Sequence, residues 1–207
     1  MPDQKGCRVY LLRHGETANS KYNCFNGHFD VELSPLGREQ MRQAADVLKD
    51  KPVRCVYSSD LKRTVEGARI IAESHGLIPI TYPELRELSV GKWEGLSVDE
   101  VNRRYPGELE ERMKNISSFQ VEGGESIQEL QTRVLEKFQK IVTQHEEESI
   151  VVVAHGGVNR IILFHHLEIP LNNFFRMKQD FAAINILQFY SGSAVIEMIN
   201  GSSGRIP

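Results

Sequence analysis

Apolar residues along the chain gather in five short runs, at 7–12, 53–57, 150–154, 182–189 and 194–199, and each run predicts a β-strand. The run Val151-Val152-Val153 has no polar alternation, which predicts a strand buried on both faces of a largely parallel sheet. Between the runs the spacing of apolar positions changes to the helical period. Ser34 and Pro35 fit the N-cap and first position of a helix carrying Leu36, Met41, Ala44, Ala45 and Leu48. A second helix is predicted from about Asp60 to His75, stopping at Gly76. Capping boxes beginning at Ser97 and Ser126 predict a short helix that ends before Pro106 and a longer one through Leu130, Val134, Phe138 and Ile141. A last helical pattern runs from Val158 to Leu167.

This alternation predicts one α/β domain over 1–207, a three-layer sandwich with a mainly parallel central sheet and helices on both faces. The segment at about 84–124 interrupts the alternation and predicts a small helical cap insertion. No repeat, low-complexity tract or linker interrupts the chain.

Composition narrows the picture. A chain of 207 residues that is 40% hydrophobic can bury one continuous core. Its 25 basic and 28 acidic residues are dispersed, so no tract argues for nucleic acid or an anionic membrane, and any anion has to be held by a local cluster of cations. No window reaches the roughly 20 apolar residues of a membrane span, and the opening residues lack a signal-peptide stretch. A cytoplasmic location is the expectation, and Cys7, Cys24 and Cys55, without zinc-site spacing, fit free thiols in a reducing compartment. A homodimer is left open.

In parallel α/β sheets ligands bind beyond the carboxyl ends of the strands. Three strand ends carry chemistry: Arg13 and His14 after the first, Ser58, Ser59 and Arg63 after the second, and His155 after the Val151–Val153 run. Two arginines offer forked donor pairs to a tetrahedral anion, and a helix start adds N–H groups. A neutral imidazole is a competent nucleophile near pH 7, and a second imidazole can stabilise charge on the transferring group. An acid/base carboxyl is also required, and Glu84, Glu87 and Glu94 are all candidates by position. His28, His75, His145, His165 and His166 default to structural or surface roles, Trp93 to a packing anchor, and neither a metal nor another cofactor is expected.

Four motifs, in order, resemble the histidine phosphatase (phosphoglycerate mutase-like) superfamily: Leu12-Arg13-His14-Gly15-Glu16-Thr17, the stretch from Tyr57 to Thr64, Arg86-Glu87-Leu88, and Val153-Ala154-His155-Gly156-Gly157. The resemblance implies that His14 becomes phosphohistidine, that Arg13, Arg63 and His155 bind the phosphoryl group, and that Glu87 is the acid/base. It implies substrate contacts at Asn19, Ser20, Asn26, Gly27 and Gly156; the family often has Asn six residues after the nucleophile, where this chain has Ser20. The compact run from Arg86 to Gly95 resembles the phosphatase branch rather than the mutases. Phe25-Asn26-Gly27-His28, Gly91–Gly95 and Gly123–Ser126 look most like α-ribazole phosphatases of cobalamin assembly, with similar pieces in broad-specificity phosphatases, phosphoserine phosphatases and fructose bisphosphatase-like members. The expected activity is therefore metal-independent hydrolysis of a small phosphorylated metabolite, with α-ribazole 5′-phosphate as one candidate. A phosphoglycerate mutase and a weakly catalytic phospholigand-binding protein are the alternatives.

Overall fold

A computed structural model of the chain describes residues 6–191 and 193–202; the opening residues 1–5, read above for a leader, lie outside it. Among the described residues six strands form one mixed sheet: β1 (Arg8–Arg13), β2 (Val53–Ser58), β3 (Ile80–Thr81), β4 (Ser149–Ala154), β5 (Ile184–Tyr190) and β6 (Ser193–Gly201). Their order is β3-β2-β4-β1-β5-β6. The pairings among β1, β2, β3 and β4 are parallel, whereas β5 and β6 join antiparallel beyond β1. The expected α/β sandwich is thus present, with an antiparallel edge on its parallel half. All five strands expected from apolar runs form; the sixth, β3, is two exposed residues with no pattern to betray it.

Among the described residues six α-helices flank the sheet: α1 (Pro35–Leu48), α2 (Lys62–Glu73), α3 (Val98–Arg104), α4 (Glu108–Lys114), α5 (Ile127–Thr143) and α6 (Gly156–His166). Side-chain alternation along the strands divides the interior into two layers. Tyr10, Leu12, Val56, Val151 and Val153 pack with Met41, Ala44 and Leu48 of α1 and Ala68 and Ile71 of α2. Val9, Leu11, Ile150 and Val152 face the opposite way, against Leu130, Val134 and Phe138 of α5 and Val158 and Ile161 of α6. Every residue of β4 is buried, as its unbroken apolar run requires.

The helix boundaries follow their caps. Ser34 Oγ accepts from Gly37 N at 2.9 Å with Pro35 at the first position of α1. Both predicted capping boxes form reciprocally, Ser97 with Glu100 and Ser126 with Glu129. Helix α2 starts two residues later than expected and ends at Glu73, with Gly76 left-handed at φ +64° beyond it. Between β3 and α5, single helical turns at Pro83–Leu85 and Gly91–Trp93 and the short helices α3 and α4 occupy the stretch expected to form a cap.

Two substitutions separate local from tertiary contributions. Ser126→Ala should cost about 1 kcal/mol by removing the α5 cap, whereas Phe138→Ala should cost about 3–5 kcal/mol by opening the layer beneath β4. Denaturant unfolding followed by circular dichroism measures both.

Candidate active site

The register of the parallel strands assembles the site. Arg13 pairs with Ala154 and Ser58 with Val153, so the residues immediately following, His14, His155 and Ser59, emerge together at one end of the sheet. His14 N donates to the Ala154 carbonyl at 3.0 Å, and the His14 carbonyl accepts from Ala182 N at 3.1 Å. The loop seats tightly on α1, where a Cβ on Gly15 would overlap the Gly37 carbonyl and one on Gly37 would overlap the Glu16 carbonyl.

The His14 ring has a defined tautomer. Nδ1 lies 2.7 Å from the Gly15 carbonyl, which only accepts, so Nδ1 carries the proton and Nε2 keeps its lone pair. The His155 ring meets it edge-on with centroids 5.2 Å apart. Burial, followed by the charges of Arg63 and Arg13, holds His14 well below the usual imidazole range. His155 is lowered for the same reasons, burial first and then Arg63. Both rings are therefore neutral at pH 7.

Around them are cations held by backbone oxygen. Arg63, at the start of α2, donates to the Gly27 carbonyl at 2.6 Å and the Phe29 carbonyl at 2.9 Å. Arg13 donates from Nη1 to the Gln179 carbonyl at 2.6 Å, and its guanidinium carbon lies 4.0 Å from the centre of the Phe181 ring. Burial lowers Arg13 to about 10, opposed by Glu87, so it stays charged at neutral pH. Two buried polar atoms lack partners here, Arg13 Nε and His155 Nδ1. A Cβ on Gly156, the residue after His155, would stand 3.6 Å from that Arg13 Nε. An anion's oxygens at this point would satisfy the arginine donor, whose isolation otherwise costs about 1–3 kcal/mol.

Ser59 Oγ lies 2.8 Å from His155 Nε2 and 2.6 Å from Thr64 Oγ1. Thr64 Oγ1 donates to the Leu61 carbonyl at 2.8 Å, so Ser59 donates to Thr64 and His155 Nε2 donates to Ser59, which places the proton of the neutral His155 ring on Nε2.

The three carboxylate candidates separate in space. Glu84 pairs with Lys137 at 3.0 Å, and Glu94 accepts from His28 N at 2.9 Å. Glu87 alone lines the cavity; Gly157 N approaches both its oxygens at 3.1 Å, and Leu88 N donates to Oε1 at 2.9 Å. Any Cβ at Gly157 would overlap Oε1. Its carbonyl is held by His28 Nε2 and by Arg133 Nη2, each at 2.9 Å. Arg133 of α5 also donates to the Glu84 and Arg86 carbonyls and pairs with Glu125. The structural role expected of His28 is thus a definite one, and Arg133 is a support that its place on a helical pattern did not signal.

Arg13, His14, Arg63 and Glu87 share the wall of one cavity of about 470 Å³ with Ser20, Asn26 and Gly27. His155 is fully buried behind His14. Asn19 and Gly156 are not on that wall: Asn19 is locked to Asn26 by hydrogen bonds of 2.6 and 3.1 Å, and Gly157 replaces Gly156. The sequence did not single out several further wall residues, among them Arg112, Arg160, Phe175 and Phe181. Trp93 is a packing anchor, fully buried, and the three cysteines are free. Among the described residues no cluster of three or more His, Cys, Asp or Glu could hold a metal, and no helix is long and apolar enough to cross a membrane.

This constellation on this sheet is that of a histidine phosphatase fold. Residues 9–202 match the model of the histidine phosphatase superfamily, branch 1, and the chain belongs to that family. It is 39% identical over 155 residues to phosphoglycerate mutase-like protein 4 of Arabidopsis thaliana, covering 73% of this chain and 67% of that one. It is 31% identical to the glucosyl-3-phosphoglycerate phosphatase of Mycolicibacterium vanbaalenii, covering 80% and 76%. The crystal structure of the α-ribazole phosphatase from Shigella flexneri superposes with a TM-score of 0.86 at 23% identity, covering 94% and 96%, a likeness of fold. The expected enzyme class, a phosphoric monoester hydrolase, agrees with the phosphatases among these relatives.

Nuclear magnetic resonance of 15N-labelled imidazoles should give neutral rings for His14 and His155 from pH 8 to below 6.5, with the His14 proton on Nδ1. A midpoint at or above 6.5 for either would contradict the burial argument. In the unfolded chain both rings bind protons near 6.5, so their depression makes stability fall as pH drops below about 6.5.

Proposed function

We propose that the chain is a metal-independent phosphomonoesterase that acts through a phosphohistidine on His14. The observation that carries this reading is the free Nε2 of a neutral His14 beside the unpartnered Arg13 Nε. A phosphoryl group placed there meets a nucleophile and an open guanidinium donor for its oxygens.

In the first displacement Nε2 forms a bond to phosphorus as the ester P–O bond breaks, and Glu87 in its acid form gives its proton to the departing alkoxide. The Gly15 carbonyl, still accepting from Nδ1, supports the cationic imidazole so formed. In the second, water attacks phosphorus, Glu87 takes the water's proton, and the P–N bond breaks to return neutral His14 and phosphate. Arg13 and Arg63 balance charge on the equatorial oxygens throughout.

The substrate is an organic phosphomonoester. The narrower candidate, α-ribazole 5′-phosphate in cobalamin assembly, is supported by the loop resemblance at Phe25–His28 and Gly91–Gly95 and by likeness of fold to one such phosphatase. A cytoplasmic location and action without a macromolecular partner belong to the same reading.

Rapid acid quench during turnover of a phosphomonoester should trap acid-labile, alkali-stable phosphate on His14. His14→Ala should abolish turnover, and Glu87→Gln should lower kcat by about 10²–10⁴-fold. Gly157→Ala, which changes no charge, should also lower kcat by displacing the Glu87 carboxylate. Activity undiminished in His14→Ala would overturn the mechanism, and robust primer-dependent phosphoglycerate interconversion would replace hydrolysis with the mutase reaction.

A further inference from the structure

The chain that returns from α6 to β5 holds both Arg13 and His14 by its main chain. The Gln179 carbonyl accepts from Arg13 Nη1 at 2.6 Å, the Phe181 ring covers the guanidinium, and Ala182 N donates to the His14 carbonyl at 3.1 Å. Gln179 stands outside any helix or strand, so no ladder of main-chain hydrogen bonds sets the direction of its carbonyl. Its own side chain does. Gln179 is buried, and its amide forms a reciprocal pair with Asn185 of β5: Nε2 donates to Asn185 Oδ1 at 3.0 Å, and Oε1 accepts from Asn185 Nδ2 at 2.9 Å. Asn185 cannot turn over, because Nδ2 also donates to the Leu11 carbonyl at 2.9 Å and Oδ1 also accepts from Asn200 N at 2.8 Å. These two main-chain partners fix the orientation of both amides.

A fully buried amide between Ile184 and Ile186 is costly where an apolar side chain would pack. Complete hydrogen bonding offsets that cost and adds little net stability, but it does fix direction. The same turn carries strain, since Ala182 is left-handed at φ +54°, and contacts on either side have to hold it there. With Nη1 pinned and one face covered by Phe181, the guanidinium of Arg13 keeps Nε, its unpartnered donor, for an anion. We propose that Gln179 is a positioning residue for phosphoryl binding: its amide, paired with Asn185, fixes the main-chain carbonyl that orients Arg13. Neither amide lines the cavity, so both act on the phosphoryl group through Arg13 alone. The inference rests on the reading of Arg13 as a phosphoryl ligand.

Inorganic phosphate is the probe, with its dissociation constant read from nuclear magnetic resonance shifts of the His14 ring and the Arg63 Nε–H group. Gln179→Met and Asn185→Leu should each weaken phosphate about tenfold. The double variant should be no weaker than the weaker single one, because the two amides form one lock. It also leaves no side-chain amide orphaned, so it carries the test if a single variant does not fold. In an Arg13→Met background the same two substitutions should change phosphate affinity no further. Undiminished affinity in the double variant would overturn the positioning role and leave the phosphoryl site standing. An equal loss with and without Arg13 would overturn it as well, since a general loosening of the pocket would then explain the effect. Hydrolysis of p-nitrophenyl phosphate, followed in parallel, reports on the other reading: absence of turnover with the Arg13-dependent effect intact would sink the hydrolase and leave the role of Gln179 in place. No phosphate-induced shift in the unaltered protein would sink both.

Discussion

The parallel pairing of β1 with β4 is the contact on which the pocket depends. Because Arg13 lies opposite Ala154, the two strands end together, and His14 and His155 follow at the same level with rings 5.2 Å apart. Both strands are buried on both faces, so a slip of one residue would turn Leu11 and Leu12, and Val152 and Val153, into the wrong layers. The two core layers therefore hold the register, and the register holds the imidazoles. The helices add a second level of fixation, since α1 seats the loop after His14 through Gly15 and Gly37 and α6 begins directly after His155.

Charge in the pocket is arranged so that one field serves two ends. Burial first, and then the charges of Arg63 and Arg13, depress the neighbouring imidazoles, which keeps a lone pair on His14, and the same positive field favours a dianion. Burying these guanidiniums is costly, and the Gly27, Phe29 and Gln179 carbonyls recover part of that cost without neutralising them. Arginine suits this placement better than lysine: even lowered to about 10, Arg13 remains charged at neutral pH.

Much of this was legible because it is local. Caps at Ser34, Ser97 and Ser126 are written in three or four consecutive residues, and the apolar runs gave β1, β2, β4, β5 and β6. The rule that ligands gather beyond parallel strand ends then brought Arg13, His14, Arg63 and His155 together before any geometry. The choice among Glu84, Glu87 and Glu94 was not local, since it turns on Lys137, His28 and Gly157 from distant parts of the chain. Arg112 was hidden for the same reason. On a short helix of Glu, Arg and Lys it reads as solvated surface, and only the approach of Phe25, Trp93 and Phe175 makes it part of a wall.

The attachment of Glu87 bears on how one carboxylate could serve both displacements. Leu88 N donates to Oε1 alone, and Gly157 N, at the first turn of α6, approaches both oxygens equally. Oε1 is thus the more heavily engaged oxygen, and proton exchange with an alkoxide or a water falls to Oε2. The main chain behind it is clamped by His28 and Arg133, so the carboxylate need not travel between the two half-reactions. A proton carrier fixed in this way requires the two reacting oxygens to come to it in turn. The proposed in-line displacement at His14 would meet that condition, because a water attacking phosphohistidine would enter along the line by which the alcohol left.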